Sequence, residues 1–186
     1  MSRVQELANF VVRMNYQDLS DAARQAVKLH ILDAMGCAIG ALEGGPVRAV
    51  RQQTEAFGGN PLCTLIGGGK TAPDRAAFLN STLIRYLDFN DSYIAKGETC
   101  HPSDCLGGIL AGCEYAHASG QQLMAAYAVT YQVWCRLCDE APVRAKGFDH
   151  TTLGAYAVAA GVARSLGLDA AQTANAIAIS GTAYNA

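Results

Sequence analysis

The sequence predicts an all-α fold, a bundle-like helical body, on three observations. Segments of helical length lie between Gly and Pro breaks, with apolar residues recurring at 3.6-residue spacing. Strands do not alternate with helices, which argues against a doubly wound sheet. The helical segments are rich in Ala and Gly, with 19 glycines in the chain, a composition that favours close packing of small-residue faces. At most one short β segment, near 62–66, interrupts the helical pattern.

The elements follow in order. Ser20 caps a helix through Ala41, with Ala23, Val27, Ile31, Ala34, Met35 and Ala38 along one face. Gly44-Gly45-Pro46 ends it, and Pro46 suits the first turn of the next helix, which reaches Phe57. Gly58-Gly59-Asn60-Pro61 leads into the β-like run Leu62–Ile66 and the turn Gly67-Gly68-Gly69. Thr71 and Pro73 open a helix to about Asp88. After an irregular stretch, helices are expected over 103–117, 120–139, 151–166 and 170–183. Asp169 with Gln172 makes a capping-box pattern for the last, and Gly167 is a natural C′ residue for the one before. No repeat at a fixed period is present.

Of the 186 residues, 51% are apolar and only 16% charged, against a globular norm of about 25%. The net charge is −2, which excludes a disordered polyelectrolyte and gives no basic stripe for nucleic acid. Seven scattered cysteines in apolar helical patterns read as reduced core residues, not a disulfide framework. Glu6 and Arg13 interrupt any leader-like apolar core, and Glu6 and Asp18 argue against a transit peptide, so a cytoplasmic location is expected. The uncharged stretches Tyr115–Cys135 and Ala170–Ala186 contain too many polar residues for membrane spans. The charge deficit itself predicts exposed apolar patches or oligomers.

Three local signals read as structure. Gly67-Gly68-Gly69-Lys70-Thr71 is like the end of a phosphate-binding loop, but position 64 is Thr where that loop needs Gly, so the run reads as a turn. Cys135-x-x-Cys138 lies mid-helix beside Trp134, away from the helix N-terminus that a redox pair uses, and reads as core packing. Cys100, His101 and Cys105 lack a fourth ligand at zinc spacing, so no metal is expected.

Residues 85–104, RYLDFNDSYIAKGETCHPSD, gather the polar groups between two apolar helices. Asp88 and Asp91, three apart, would share a face at a helix end. His101, before Pro102 at the start of a helix, is a candidate acid/base or anion-binding group; the alternative is a solvated loop with capping residues. In Lys146–Thr152, His150 either points at a ligand or lies beside a helix capped by Asp149 and Thr151.

These segments, with LANFVVRMNYQDLS, AVKLHILDAMGCAIGAL, the GGN…TLIGGG turn and GFDHTTLGAYAVAAGVARSLGLDAAQTANAIAIS, resemble the N-terminal part of the MmgE/PrpD family over essentially the whole chain. That family includes 2-methylcitrate dehydratase, cis-aconitate decarboxylase and an iminodisuccinate epimerase. LDFND followed by HPSD is most similar to the 2-methylcitrate dehydratase branch. The resemblance implies cofactor-free chemistry on tricarboxylic or dicarboxylic acids, with Asp88, His101 and His150 as catalytic positions. Asp91, Ser92, Lys96 and Ser103 are the candidate substrate contacts, Ser92 standing where many relatives have Thr. Asn90 stands where many have Asp, Asp149 separates Phe148 from His150, and the 91–100 loop is longer than in the decarboxylase branch, which favours dehydration.

Dehydrating a hydroxy-tricarboxylate removes a proton beside a carboxylate and expels hydroxide, so it needs a base, an acid and partners for negative charge. Two histidines and an Asp supply the first two; Lys96 or a helix N-terminus can hold carboxylates. Acid and base remain unassigned between His101 and His150. The resemblance further implies a homodimer and a chain more than twice as long. Further helices and a small α/β lid would then follow ISGTAYNA, and the 186 residues alone would have little or no activity. The competing readings are a non-catalytic helical module that binds a carboxylate or a partner, and a decarboxylase or epimerase of the same family.

Overall fold

The structure, a computed structural model, describes residues 2–183. Eight α-helices span these residues, joined by short 3-10 turns and two small antiparallel hairpins. The first helix, α1 (Arg3–Arg13), is absent from the expected elements, yet its signals are ordinary. Val4, Leu7, Ala8 and Val11 hold one face, and Gln5 accepts from the Ser2 N–H at 2.9 Å. The polar residues Glu6 and Arg13 that rule out a leader are the solvated side of an amphipathic helix.

Helix α2 (Asp21–Gly40) begins where the Ser20 hydroxyl accepts from the Ala23 N–H at 3.2 Å. Val27, Ala34 and Ala38 are buried along the expected face, joined by Cys37. Helix α3 (Gly45–Phe57) carries Pro46 in its first turn. The 62–66 run supplies β1 (Cys63–Thr64), paired with β2 (Lys70–Thr71). Gly67, Gly68 and Gly69 turn that hairpin with φ of 91, 111 and 90°, which only glycine adopts freely. The Gly-Gly-Gly-Lys-Thr run is therefore the turn and return strand of a hairpin.

Helix α4 (Pro73–Tyr86) stops two residues short of Asp88, whose φ of 51° is incompatible with continuing the helix. Asp88 and Asp91 consequently do not share a helix face. The stretch expected to be irregular holds a second hairpin, β3 (Tyr93–Ile94) with β4 (Thr99–Cys100), so there are two strand pairs instead of one β segment. The helix expected from 103 begins as a 3-10 turn, Pro102–Cys105, before α5 (Leu106–Tyr115). Then come α6 (Gly120–Glu140), a 3-10 turn at Val143–Lys146, α7 (Thr151–Ser165) and α8 (Ala170–Ala183). Asp169 and Gln172 exchange both capping bonds, at 2.8 and 3.1 Å, and Gly167 takes the left-handed conformation at φ 67°. The last three residues of the uncharged stretch 170–186 lie outside the described residues.

Two apolar clusters form the core. One gathers α2 to α5 and the first half of α6 around Leu79, Leu83, Ile84, Leu106, Ile109 and Tyr127. The other gathers α1, the second half of α6, α7 and α8 around Val11, Val129, Trp134, Leu153 and Ile177. The turn Pro102–Cys105 packs against α2, α4, α5, α6 and α7 where the two clusters meet. His101 stands at the entrance of this turn.

The uncharged stretch 115–135 is mostly α6, and residues 125–130 are buried inside this chain, so these helix positions are covered by its own neighbours. Exposed large apolar side chains lie elsewhere, with Leu29, Leu32 and Ile39 on α2, Phe89 beside the site and Ile179 on α8. No helix among the described residues is long and apolar enough to cross a membrane.

Candidate active site

The site is built on the segment between α4 and α5, faced by the loop before α7. His101 Nδ1 lies 2.8 Å from the backbone carbonyl of Asp91. A carbonyl only accepts, so Nδ1 carries the proton and Nε2 is left with its lone pair. The Ser92 hydroxyl, 3.2 Å from the same Nδ1, is a second acceptor. His150, which enters α7, stands edge to face with His101, ring centroids 5.5 Å apart at 70°. Its other face stacks toward Trp134, at 6.3 Å and 18°.

Asp91 is the hub. Its side chain is largely buried, and Oδ1 accepts from the Ser103 N–H at 3.1 Å. Oδ2 accepts from the Tyr131 hydroxyl and faces His30 Nδ1 at 3.5 Å. Tyr131 in turn meets Tyr127 at 3.2 Å, and burial pushes both phenols far above the usual range. Asp91 is thus held on both oxygens, which fixes the carbonyl that holds His101.

Beside it, buried Asn90 donates through Nδ2 to Ser103 Oγ at 2.7 Å and to Asp104 Oδ1 at 2.9 Å. Asp104 also faces Arg85 Nε at 3.5 Å. Arg85 donates to Asp88, and that bond, with the guanidinium charge, holds the exposed Asp88 carboxyl below its ordinary value. Asp88 is therefore on the rim. Ser103 is fully buried, and Lys96 is exposed at the tip of the β3–β4 hairpin, with no hydrogen bond or ion pair among the described residues. The structure joins Asp91, Ser92, Ser103, His101 and His150 into one cluster, reaches Asp88 through Arg85, and leaves Lys96 outside it.

Burial pushes the Asp104 carboxyl up to about 6, against the opposing pull of Arg85 and the Asn90 hydrogen bond. The folded chain then binds this proton more tightly than the unfolded chain does. The group's contribution is most favourable below about pH 4 and is lost as pH rises through about 6, a change on the order of 3 kcal/mol. Asp104→Asn is expected to flatten that part of the stability curve and to exceed the wild type at pH 7. Urea midpoints of both proteins measured from about pH 4 to 7 check this, and a wild-type-minus-variant difference that does not fall across that window contradicts it.

Burial, opposed by the neighbouring Asp149 carboxylate, lowers the His150 pKa and keeps the ring neutral. Among the described residues no group of three His, Cys, Asp or Glu side chains is placed to hold a metal ion. Cys100, Cys135 and Cys138 belong to the second core cluster, and all seven cysteines are free.

Sequence reasoning did not single out His30, Tyr131, Trp134 or Arg144, because each is one polar or aromatic residue in a helical or basic stretch with no spacing signal. Asn90, Glu98 and Asp104 were visible as polar residues of the 85–104 segment, though not their partners.

The MmgE/PrpD N-terminal domain matches residues 5–186. The chain is 32% identical to 2-methylcitrate dehydratase of Escherichia coli (strain K12), an alignment that takes in 89% of this chain and 37% of that relative. It is 30% identical to the 2-methylcitrate dehydratase, mitochondrial, of Yarrowia lipolytica, over 94% of this chain and 35% of the relative. With that of Cupriavidus necator it shares 29% identity, over 94% and 38%. The chain thus spans little more than a third of the length of these curated relatives. Together with the all-helical architecture, the match over residues 5–186 establishes that this chain belongs to the MmgE/PrpD family, through its N-terminal domain.

Proposed function

We propose that this chain is the N-terminal helical part of a hydro-lyase that dehydrates 2-methylcitrate, or a closely similar tricarboxylic acid, by acid–base catalysis with no cofactor. The observation that carries the reading is the paired histidines, 5.5 Å apart, one of them fixed with a bare Nε2. That nitrogen is suited to take the proton from the carbon beside a carboxylate. The neutral His150 ring faces it as the partner for the departing hydroxyl. Ser92 and Lys96, both exposed, are the groups to meet substrate carboxylates, with Asp88 at the rim. Asp91, largely buried, and Ser103, fully buried, serve the substrate by holding this face in place.

The names of the relatives support the substrate class; further helices and a lid beyond this domain belong to the same proposal, as the family resemblance implies. Free, mostly buried cysteines suit a reducing compartment such as the cytoplasm. The exposed Leu29, Leu32 and Ile39 of α2 suit a homodimer.

Thermal unfolding of the 186-residue chain is expected to shift upward with citrate or 2-methylcitrate, but not with acetate at equal ionic strength. His101→Asn and His150→Asn should suppress the shift. Absence of any tricarboxylate effect in the wild type would sink the site reading. Turnover of 2-methylcitrate by the isolated chain, at a rate lowered by His101→Ala, would instead show that these residues suffice.

A further inference from the structure

Nδ1 of His150 is contested. Arg144 Nη2 approaches it at 3.3 Å and Asp149 Oδ1 at 3.0 Å, while Nε2 is buried with no partner. A neutral ring can satisfy only one of the two neighbours. If Nδ1 accepts from Arg144, Nε2 carries the proton; if Nδ1 donates to Asp149, Nε2 is bare.

The two neighbours differ in freedom. The Glu98 side chain is fully buried, and its Oε1 holds Arg144 Nε at 2.8 Å while Oε2 accepts from the Arg144 backbone N–H at 3.1 Å. Arg144 Nη2 also donates to Thr99 Oγ1 at 3.1 Å. The guanidinium is therefore clamped by a buried carboxylate, itself held by the Thr99 N–H at 3.1 Å, and it has no lone pair with which to meet an Nδ1–H. Arg144 and Asp149 are both about half exposed, and what separates them is the anchor: Glu98 and Thr99 hold the guanidinium, whereas Asp149 Oδ1 is shared with the Thr151 N–H at 3.0 Å and can turn to the start of α7. The rigid donor decides.

We propose that Arg144, anchored by Glu98, is a positioning residue that fixes His150 as the Nε2–H tautomer. The inference rests on reading His101 and His150 as the proton-transfer pair, and it assigns their roles. His101 presents a lone pair and acts as base. His150 keeps its proton on Nε2, which this chain buries, and is the acid of the pair where substrate reaches that atom.

The charged and titratable groups facing His150 are Asp149, Arg144 and His101. The first favours an imidazolium and the other two oppose it, so the ring stays neutral while its tautomer is chosen.

The test is long-range proton–nitrogen correlation NMR of the histidine rings in the 15N-labelled 186-residue chain, at a pH where His150 is neutral. The His150 signals are identified by their loss in His150→Gln. The expected wild-type pattern is a protonated Nε2 and an unprotonated Nδ1. Arg144→Met, which cannot donate, should move the proton to Nδ1, whereas Asp149→Asn should leave it on Nε2. Because Arg144→Met strands the Glu98 charge, the Glu98→Gln/Arg144→Met double variant is run beside it and should show the same transfer. Protonation at Nδ1 in the wild type, or an unchanged Nε2–H in a folded double variant, overturns the proposal. Titrating the same wild-type sample with citrate separates the two ideas: no ring shift with ligand defeats the site reading while the tautomer result stands.

Discussion

Gly107→Ala is expected to destabilise the chain by about 3 kcal/mol, although alanine is the better helix former by about 1 kcal/mol. Gly107 lies in the first turn of α5, buried against α4. A Cβ there would stand 2.5 Å from the Ser81 backbone nitrogen and hydroxyl oxygen and 2.8 Å from the Ala77 carbonyl oxygen. Two of these atoms are backbone of a packed helix, so no rotamer change relieves the overlap and the two helices must separate. Gly36→Ala in α2 is the control, because nothing lies within 4 Å of its new methyl. It should stabilise by roughly 0.5–1 kcal/mol. Urea unfolding followed by circular dichroism measures both. Equal stability of Gly107→Ala and wild type would show that α4 and α5 need not approach so closely. The strain also reaches the site: α5 is continuous with the turn Pro102–Cys105, so the variant should lose tricarboxylate-dependent stabilisation as well.

The contrast between those two glycines shows what can be read from the sequence. Helix limits follow from local chemistry, so Ser20, Pro46, Asp169 and Gly167 mark boundaries that the structure keeps. The polar segment 85–104 is equally visible, because its many polar and ionisable residues between apolar helices have no core to join. Which glycine meets a neighbouring helix is a property of three-dimensional approach, and Gly36 and Gly107 look alike in the chain. The same holds at the site. His30 and Tyr131 reach Asp91 from α2 and α6, at separations of 61 and 40 residues that carry no periodic signal. Nothing in Leu-Asp-Phe-Asn announces a left-handed residue, so the pattern carries the helix on to Asp88. The β3–β4 hairpin was hidden for a related reason: two-residue strands are too short for alternation to show.

The larger functional effect is expected from His101→Asn in a family-length protein built on this domain: turnover lower by two to four orders of magnitude, about 3–5 kcal/mol of barrier, with little change in KM. Asparagine can still donate through Nδ2 to the Asp91 carbonyl, so the bond that anchors the side chain at 2.8 Å has a substitute. What disappears is the lone pair on Nε2. An amide offers no comparable base, so the loss falls on proton removal and therefore on kcat. Ser92→Ala provides the comparison. The Ser92 hydroxyl is only a second acceptor for Nδ1, at 3.2 Å, behind the carbonyl. Its loss leaves tautomer and lone pair in place and should reduce turnover far less. Asp91→Asn likewise keeps the backbone carbonyl and an Oδ1 acceptor for the Ser103 N–H, and it gives up the charge that faces His30 and the Oδ2 acceptor of the Tyr131 hydroxyl. A graded series, His101 far below Asp91 and Ser92, is what a base held by a main-chain carbonyl requires. Equal losses at all three positions would mean that the segment acts as packing. An undiminished kcat in His101→Asn would move the base elsewhere.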